Sequence, residues 1–263
     1  MTLDVSGKHV LITGGSSGIG AELAERLASM GAIVGIVARR EDRLREVLLR
    51  CAAHSPDSRM WTADLADPNA VEALARDVLR DFGTVDILVN NAGIPKRKHI
   101  TSLDAETVAT VMTINYLSPV RLTLALLPAM LERDSGTIVN ISSVAATLSS
   151  PGESAYNASK AALSVFSESV AVDLWETGVN VLTVYPGVVD TELFTIPDND
   201  PLPAVIERIP VSEMVDGILA ALDSGVVQAY VPEWFQGIAA GKAANVDSFL
   251  AGTAEWVRTS AGT

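Results

Sequence analysis

Thr13-Gly14-Gly15-Ser16-Ser17-Gly18-Ile19-Gly20 follows directly on the apolar run His9–Thr13 and opens the helical pattern Gly18–Met30. A strand that ends in glycines and turns at once into a helix has a physical meaning. Glycine permits the tight turn and lets another group approach the main chain closely. The helix beyond it presents free N–H groups and a partial positive charge. Gly14, Ser16, Ser17, Gly18, Ile19 and Gly20 are therefore expected to cradle the pyrophosphate of a dinucleotide. The bland alternative is a strand-to-helix turn with no ligand. The strand before it, the helix after it and its place at the head of an alternating chain weigh against that alternative.

Outward from this loop, short apolar runs alternate with runs of helical period. The expected strands are His9–Thr13, Ile33–Ala38, Arg59–Thr62, Asp86–Asn90, Thr137–Ser142, Asn180–Tyr185 and Gln228–Val231. The expected helices are Gly18–Met30, Asp42–Ala53, Pro68–Phe82, Asp104–Leu131, Ser154–Glu176 and Ser212–Asp223. Strand–helix alternation implies βαβ units and a parallel sheet. Strands that are apolar throughout imply helices on both faces of that sheet. The fold class read from this is α/β: one Rossmann-like, doubly wound, mostly parallel sheet of about seven strands, as a single domain over 1–263. The segment 191–210 carries Pro197, Pro201, Pro203, Pro210 and the polar run Asp198-Asn199-Asp200, and interrupts the alternation. It reads as a lid loop over the carboxyl ends of the strands. The stretch 232–263, with Trp234, Phe235, Phe249 and Trp256 among Ala and Gly, reads as a helical appendage packed on the body or on a neighbouring subunit.

Bulk properties exclude several classes. A formal net charge of −13 repels a phosphate polymer, so nucleic acid is not expected as a partner. The lone cysteine, Cys51, excludes an intramolecular disulfide and sits in the amphipathic pattern Leu44, Val47, Leu48, Cys51, which suggests packing. Met1–Lys8 is too polar and short for a signal peptide, and Leu117–Leu131 is broken by Ser118, Pro119, Arg121 and Pro128. The expectation is no transmembrane segment and a cytoplasmic location.

The end of the second strand bears on which dinucleotide binds. An acid there would accept hydrogen bonds from a ribose 2′-OH, but the strand ends Val37-Ala38-Arg39-Arg40. A guanidinium fork suits a phosphate dianion. NADP(H) is expected, with Arg39 as the main 2′-phosphate contact and Arg40 in support. If the two arginines merely answer Glu41 and Asp42 in solvent, NAD(H) serves as well.

Tyr156-Asn157-Ala158-Ser159-Lys160 places a phenol and an ammonium at i and i+4 on one helix face. A nearby ammonium favours the phenolate, which makes the tyrosine a candidate general acid/base near neutral pH. Alone, such a pair is more often a surface pair. Thirteen residues earlier, however, a strand ends Asn140-Ile141-Ser142-Ser143, at the edge where parallel sheets bind ligands. Chemistry alone does not choose between Ser142 and Ser143. Asn90-Asn91-Ala92-Gly93 ends another strand, and Asn115 is a polar residue set among Val111, Ile114 and Leu117; an ordinary satisfied Asn is its bland alternative.

Together, Thr13–Gly20, Asn90–Gly93, Ser143, Tyr156-x-x-x-Lys160 and Pro186-Gly187 resemble the short-chain dehydrogenase/reductase superfamily, in its order and spacing, from about Gly7 to Val231. The resemblance implies an enzyme that transfers a hydride between NADP(H) and a hydrophobic alcohol, ketone or aldehyde. It implies Tyr156 as acid/base, Ser143 rather than Ser142 as the group that binds the substrate oxygen, and Lys160 as the residue that lowers the tyrosine pKa and holds the nicotinamide ribose. Asn115 would sustain a water-mediated proton path from Lys160. Asp64 and Leu65 would flank the adenine, and Asn91, Ala92 and Gly93 would line the cleft. Tyr185, Pro186, Gly187, Val188, Val189 and Thr191 would hold the nicotinamide; Tyr185 departs from the family's usual Asn. In relatives the two long helices pair between subunits, which implies a homodimer or homotetramer. The alternatives are a non-catalytic NADP-binding regulatory module and an epimerase or dehydratase on the same scaffold.

Two features concern the substrate. Lys96-Arg97-Lys98 is a basic cluster in an acidic chain, read either as a greeting for an anionic substrate group or, more readily, as a solvated loop paired with nearby acids. Leu193, Phe194, Ile196, Leu202, Val205 and Ile206 make the expected lid apolar.

Overall fold

Seven aliphatic runs become the strands β1 (His9–Thr13), β2 (Ile33–Ala38), β3 (Arg59–Thr62), β4 (Ile87–Asn90), β5 (Gly136–Ile141), β6 (Val179–Pro186) and β7 (Gln228–Val231) of a computed structural model that describes residues 3–200 and 207–260. All pairings are parallel and the order is β3-β2-β1-β4-β5-β6-β7. The chain winds outward from β1 in one direction, then crosses back to β4 and winds in the other. The expected seven-stranded, doubly wound α/β sheet is what forms.

Side chains alternate across each strand, and this divides the core in two. Val10 and Ile12 of β1, Ile36, Val89, Val139 and Val184 face α1 (Gly18–Ser29), α2 (Glu41–Ala52) and, later in the chain, Val211–Ser224. Leu11, Leu88, Ile138 and Val181 face α3 (Pro68–Phe82) and the helix Ser118–Glu132. Cys51 is buried in the first layer, and burial pushes its thiol up to about 11, as its packing pattern predicted.

The expected helix Asp104–Leu131 is in three pieces: α4 (Ala105–Met112), a π-helical segment Thr113–Leu117, and α5 (Ser118–Glu132). Pro119 at the start of α5 and Pro128 within it do not break the run. Contrary to expectation, the joined stretch Ala105–Glu132 is long and apolar enough to cross a membrane by length and composition. Ser118, Pro119, Arg121 and Pro128, read as breaks in the apolar run, all lie within α5 and do not interrupt it. Much of this stretch is committed to the protein interior: α5 packs on α3, α4 packs on α7 (Ser154–Asp173), and 44% of its most apolar window is buried.

The short α6 (Ala145–Leu148) and α7 follow β5, and α8 (Val211–Ser224) precedes β7. The appendage is two helices, α9 (Phe235–Ala244) and α10 (Val246–Ser260), and it packs on the body: α9 contacts α6 and β7. Lys242 of α9 donates to the Thr147 carbonyl at 2.6 Å and to Ser149 Oγ at 2.7 Å. In the segment expected to be a lid, Glu192–Thr195 forms a 3-10 turn, and Val189 bridges Ile209 in parallel register. Pro201, Leu202, Pro203, Val205 and Ile206 lie outside the described residues.

Gly35 lets the second layer close. A Cβ there would stand 2.6 Å from the Trp61 ring and 2.9 Å from Phe82, rings that meet edge to face at 5.1 Å. Overpacking a filled interior costs about 1–3 kcal/mol. Gly35→Ala is expected to lower the unfolding free energy by that amount, read as a lower urea midpoint at an unchanged denaturant slope; an unchanged midpoint contradicts this packing.

Candidate functional site

The two windings part between β1 and β4, and the loops there separate at the carboxyl edge. Thr13 ends β1: its hydroxyl donates to the Val89 carbonyl and accepts from the backbone N–H groups of Asn91 and Ala92, both at 3.1 Å. Asn91 returns the contact, its Nδ2 donating to the carbonyls of Thr13 at 2.9 Å and Gly14 at 3.4 Å. The glycine loop is thus fixed to the neighbouring strand end. Gly14 and Gly18 have φ of +70° and +55°, values that favour glycine. A Cβ on Gly20 would lie 2.4 Å from the Gly14 carbonyl oxygen. Ser17 caps α1 without a side-chain hydrogen bond, and the first turn carries no acid, so its N–H groups face the cleft unclaimed by a carboxylate.

A cavity of about 1010 Å³ runs from this loop across the sheet edge. The expected cofactor residues Gly14, Ser16, Ser17, Gly18, Ile19, Arg39, Arg40, Asp64, Leu65, Asn91, Ala92, Gly93, Pro186, Gly187, Val188, Val189 and Thr191 line it, and Gly20 and Tyr185 do not. Gly20 acts from behind, by letting α1 sit against the loop. The bare main chain at Gly14, Gly18 and Gly93 suits the cradle of a dinucleotide, and a Cβ there would press on Ala92 and Asn91, on Thr191 and on Lys160 respectively.

At one end, Arg39 and Arg40 are both exposed, and they differ. Arg40 spans the cleft, donating to Glu192 at 2.9 Å and to Ser17 Oγ at 2.8 Å. Its guanidinium holds the Glu192 carboxyl below its ordinary range. Arg39 makes no hydrogen bond or ion pair among the described residues. Neither arginine answers Glu41 or Asp42; Glu41 pairs with Arg45 instead.

At the other end stand Ser143, Tyr156 and Lys160. The structure separates the two serines. Ser142 Oγ faces α7, donating to the Lys160 carbonyl at 3.1 Å and sharing a 2.8 Å hydrogen bond with Ser164. Ser143 Oγ instead accepts from the Ala145 N–H at 3.1 Å and lines the cavity beside Tyr156. Lys160 is buried, donating to the Ile141 carbonyl at 2.8 Å. Burial lowers its pKa to about 8. The phenol does not follow the expectation drawn from the Tyr–Lys spacing. Burial pushes it well above its ordinary value; Ser143 and Arg97 pull it down, and Glu153 adds to the rise. Lys160 lies 5.8 Å from the ring centroid, with its charge drawn toward Ile141 rather than the phenolic oxygen.

Asn115 sits in the π segment, fully buried, and clamps Ile94: Nδ2 donates to its carbonyl at 2.9 Å and Oδ1 accepts from its N–H at 2.8 Å. A second donation reaches Ser159 Oγ at 3.0 Å. A π turn is a frequent mark of a functional position, and here it aims an amide at the loop beside Lys160. A Cβ on Gly93 would stand 3.2 Å from Lys160 Nζ and 3.3 Å from Asn115 Oδ1, so the three residues are fitted to one another.

Three site assignments change. Tyr185 is not part of the cavity wall. It is buried, stacked on Tyr230 at 4.5 Å, because strand alternation turns it inward, and burial raises its phenol to about 12. The basic cluster pairs with acids, as its blander reading held, but Arg97 is buried rather than solvated, while Lys96 and Lys98 share Asp198 at 2.7 and 2.5 Å. Trp256 and Val257 of α10 line the cavity, as does Glu153; sequence reading missed them. The helical spacing Val246, Phe249, Leu250, Thr253, Trp256, Val257 was the available signal for α10.

A nucleotide-sized cleft thus leads from arginines and a glycine cradle to a hydroxyl, a phenol and an ammonium. Comparison with known proteins agrees: residues 8–200 match the short chain dehydrogenase family. A fatty acyl-CoA reductase from Acinetobacter baylyi is 38% identical over 192 residues, 72% of this chain and 65% of that protein. A solved short-chain dehydrogenase from Sphingobium yanoikuyae, in complex with NADPH, is 32% identical with a TM-score of 0.81 over 92% of this chain and 95% of that one. One from Burkholderia phymatum, in complex with NAD, shares the fold at a TM-score of 0.84 and 23% identity, over 94% of this chain and 96% of that one. The chain belongs to the short-chain dehydrogenase/reductase family, whose members bind NAD(P). It spans about three-fifths of the length of the curated relatives it matches.

Lys160 carries a cost. Below about pH 8 the folded protein holds a desolvated ammonium. The gap from its ordinary value of 10.5 corresponds to roughly 3 kcal/mol. Between those pH values the unfolded chain holds the proton and the folded one does not, so this penalty is relieved as pH rises. Lys160→Met is expected to raise the calorimetric midpoint at pH 7 without nucleotide, and the advantage over the parent should shrink toward pH 10. A variant less stable at pH 7 contradicts the burial cost.

Proposed function

We propose that this chain is an NADP(H)-preferring oxidoreductase that moves a hydride between nicotinamide and a hydrophobic ketone, aldehyde or alcohol, with Tyr156 transferring the proton. One observation carries the reading: a single cavity joins an unengaged Arg39 at the end of β2 to the Ser143–Tyr156–Lys160 group. Arg39 stands where a 2′-phosphate would lie, with no acid beside it at the strand end to accept a ribose hydroxyl. Arg40 supports the phosphate while tying the glycine loop to Glu192.

The bound nicotinamide supplies the hydride, or accepts it in oxidation. The protein supplies the rest. Ser143 hydrogen-bonds the substrate oxygen and holds the carbonyl in line with the phenol. In reduction, the Tyr156 O–H bond breaks as its proton passes to the substrate oxygen. Lys160 holds the nicotinamide ribose and restores that proton through a path anchored by Asn115. A phenol raised by burial is protonated at neutral pH, which favours reduction there. The substrate chamber is apolar, walled by Ile94, Pro95, Val144, Leu193, Phe194 and Trp256. The fatty acyl substrate named for the Acinetobacter relative fits that character.

We place the protein in the cytoplasm, on the support of a single buried cysteine that needs no oxidising compartment. We read it as a homodimer or homotetramer, because Leu124 and Leu131 on α5 and Val165 and Val172 on α7 leave apolar side chains exposed on the two long helices.

Calorimetric titration tests the cofactor. NADPH should bind at least about tenfold more tightly than NADH, a difference of roughly 1.4 kcal/mol, and Arg39→Ala should erase it. Equal binding of both by the parent removes the NADP preference. Tyr156→Phe should abolish NADPH-dependent reduction of a medium-chain ketone with nucleotide affinity retained; undiminished turnover removes the proton-transfer role.

A further inference from the structure

Arg97 lies in the loop after β4, and its side chain is only 4% exposed. It does more than its two lysine neighbours, which share one surface carboxylate. Its backbone N–H donates to Asn199 Oδ1 at 2.7 Å, and its carbonyl accepts from the N–H of Asp200 at 2.8 Å. Its Nε donates to the Asp200 carbonyl at 2.9 Å and Nη2 to the Phe194 carbonyl at 3.4 Å. Its guanidinium sits 5.3 Å from the centroid of the Phe194 ring, which walls the substrate chamber. On the other side, the Lys98 N–H donates to the Gly152 carbonyl at 2.7 Å. The segment 96–98 therefore joins the lid, 194–200, to the loop that launches α7.

The remaining nitrogen faces Glu153. Arg97 Nη1 is buried with no hydrogen-bond partner; Glu153 Oε1 stands 3.6 Å away. Glu153 is the residue before α7 and three before Tyr156. Its side chain does not cap the helix, and it is 8% exposed. Both residues line the cavity that holds Tyr156. The charged groups acting on the phenol are Glu153 at the start of its own helix and Arg97 from the loop after β4. Lys160 lies one turn further along α7. His99, Glu192 and Asp200 line the same cavity farther along the loop and lid. A buried charge pair without a full hydrogen bond leaves each charge incompletely cancelled.

We propose that Arg97 and Glu153 are positioning residues: Arg97 straps the lid over the substrate chamber, and the pair together sets the charge that the Tyr156 phenol faces as its proton moves. This rests on the reading of Tyr156 as the proton-transfer group. Opening the lid withdraws the partners that hold the guanidinium beside Glu153. Lid closure and the acid strength of the phenol are then linked through one side chain.

The two halves of the pair act on the phenol with opposite sign. The test follows the pH dependence of kcat/KM for oxidation of 2-octanol with NADP⁺, together with hydrogen exchange of the 192–200 peptide, which needs no turnover. In Arg97→Met the rising limb should move to higher pH by about one unit, KM should rise about tenfold, as 1.4 kcal/mol of lost holding gives, and 192–200 should exchange faster. In Glu153→Gln the limb should move to lower pH with lid exchange near that of the parent. Arg97→Lys keeps the charge without the planar fork, and should restore the limb while leaving KM high. Shifts of the same sign in Arg97→Met and Glu153→Gln, no shift in either, or unchanged lid exchange in Arg97→Met overturn the proposal. If Arg97→Met does not fold, Arg97→Lys and Glu153→Gln carry the test, and coincident limbs with parental exchange overturn it. A parent inactive on alcohols counts against the proposed function instead, and the exchange measurement then decides the strap alone.

Discussion

One hydroxyl holds the two windings of the sheet together where they part. Thr13 Oγ1 donates to the end of β4 and receives two N–H groups from the turn beyond it, while Asn91 reaches back to the carbonyls of Thr13 and Gly14. A doubly wound sheet must leave a crevice between its oppositely turning halves. This contact extends the β1–β4 pairing past the strand ends and ties the glycine loop to the turn after β4. The rest of the site is built around that tie. Gly20 keeps α1 tight against the loop, and Gly93 leaves room for Lys160 and Asn115.

The far end of the crevice is held by polar groups that pay for their burial. Lys160 has one backbone acceptor where an ammonium offers three donors. Asn115 spends its amide on Ile94 and Ser159 from within a π turn. A network of this kind is unfavourable for stability in isolation, and its members are held in place by the large apolar layers on either side of the sheet. The apolar core supplies the rigidity and the site consumes it.

The sequence revealed those parts of the protein that depend on neighbours along the chain. Aliphatic runs marked all seven strands within about two residues, and the glycine loop, the Asn90–Gly93 turn and the Tyr156–Lys160 spacing marked the crevice. What escaped depends on contacts between distant segments. The Tyr–Lys spacing correctly put both groups on one face of α7, yet the Ile141 carbonyl, from another strand, decides where the lysine charge goes. Tyr185 beside Pro186-Gly187 suggested a pocket wall, but the alternation of β6 and the ring of Tyr230 turned it inward. The triplet Lys96-Arg97-Lys98 looks uniform in sequence; the positions of Asp198, Asp200 and Glu153 make its three members unlike. Nothing in the run Thr113–Leu117 announced a π turn, because that widening is set by what Asn115 must reach.

The last wall of the chamber comes from α10, a helix that adds no strand to the sheet and no hydroxyl, phenol or ammonium to the reacting end. Trp256 and Val257 touch the cavity from outside the framework that fixes Ser143, Tyr156 and Lys160. Inheritance can therefore treat the two separately. Substitution at positions 256 and 257 would reshape the chamber's wall without moving Ser143, Tyr156 or Lys160, so the shape of the space and the groups at its end can vary independently.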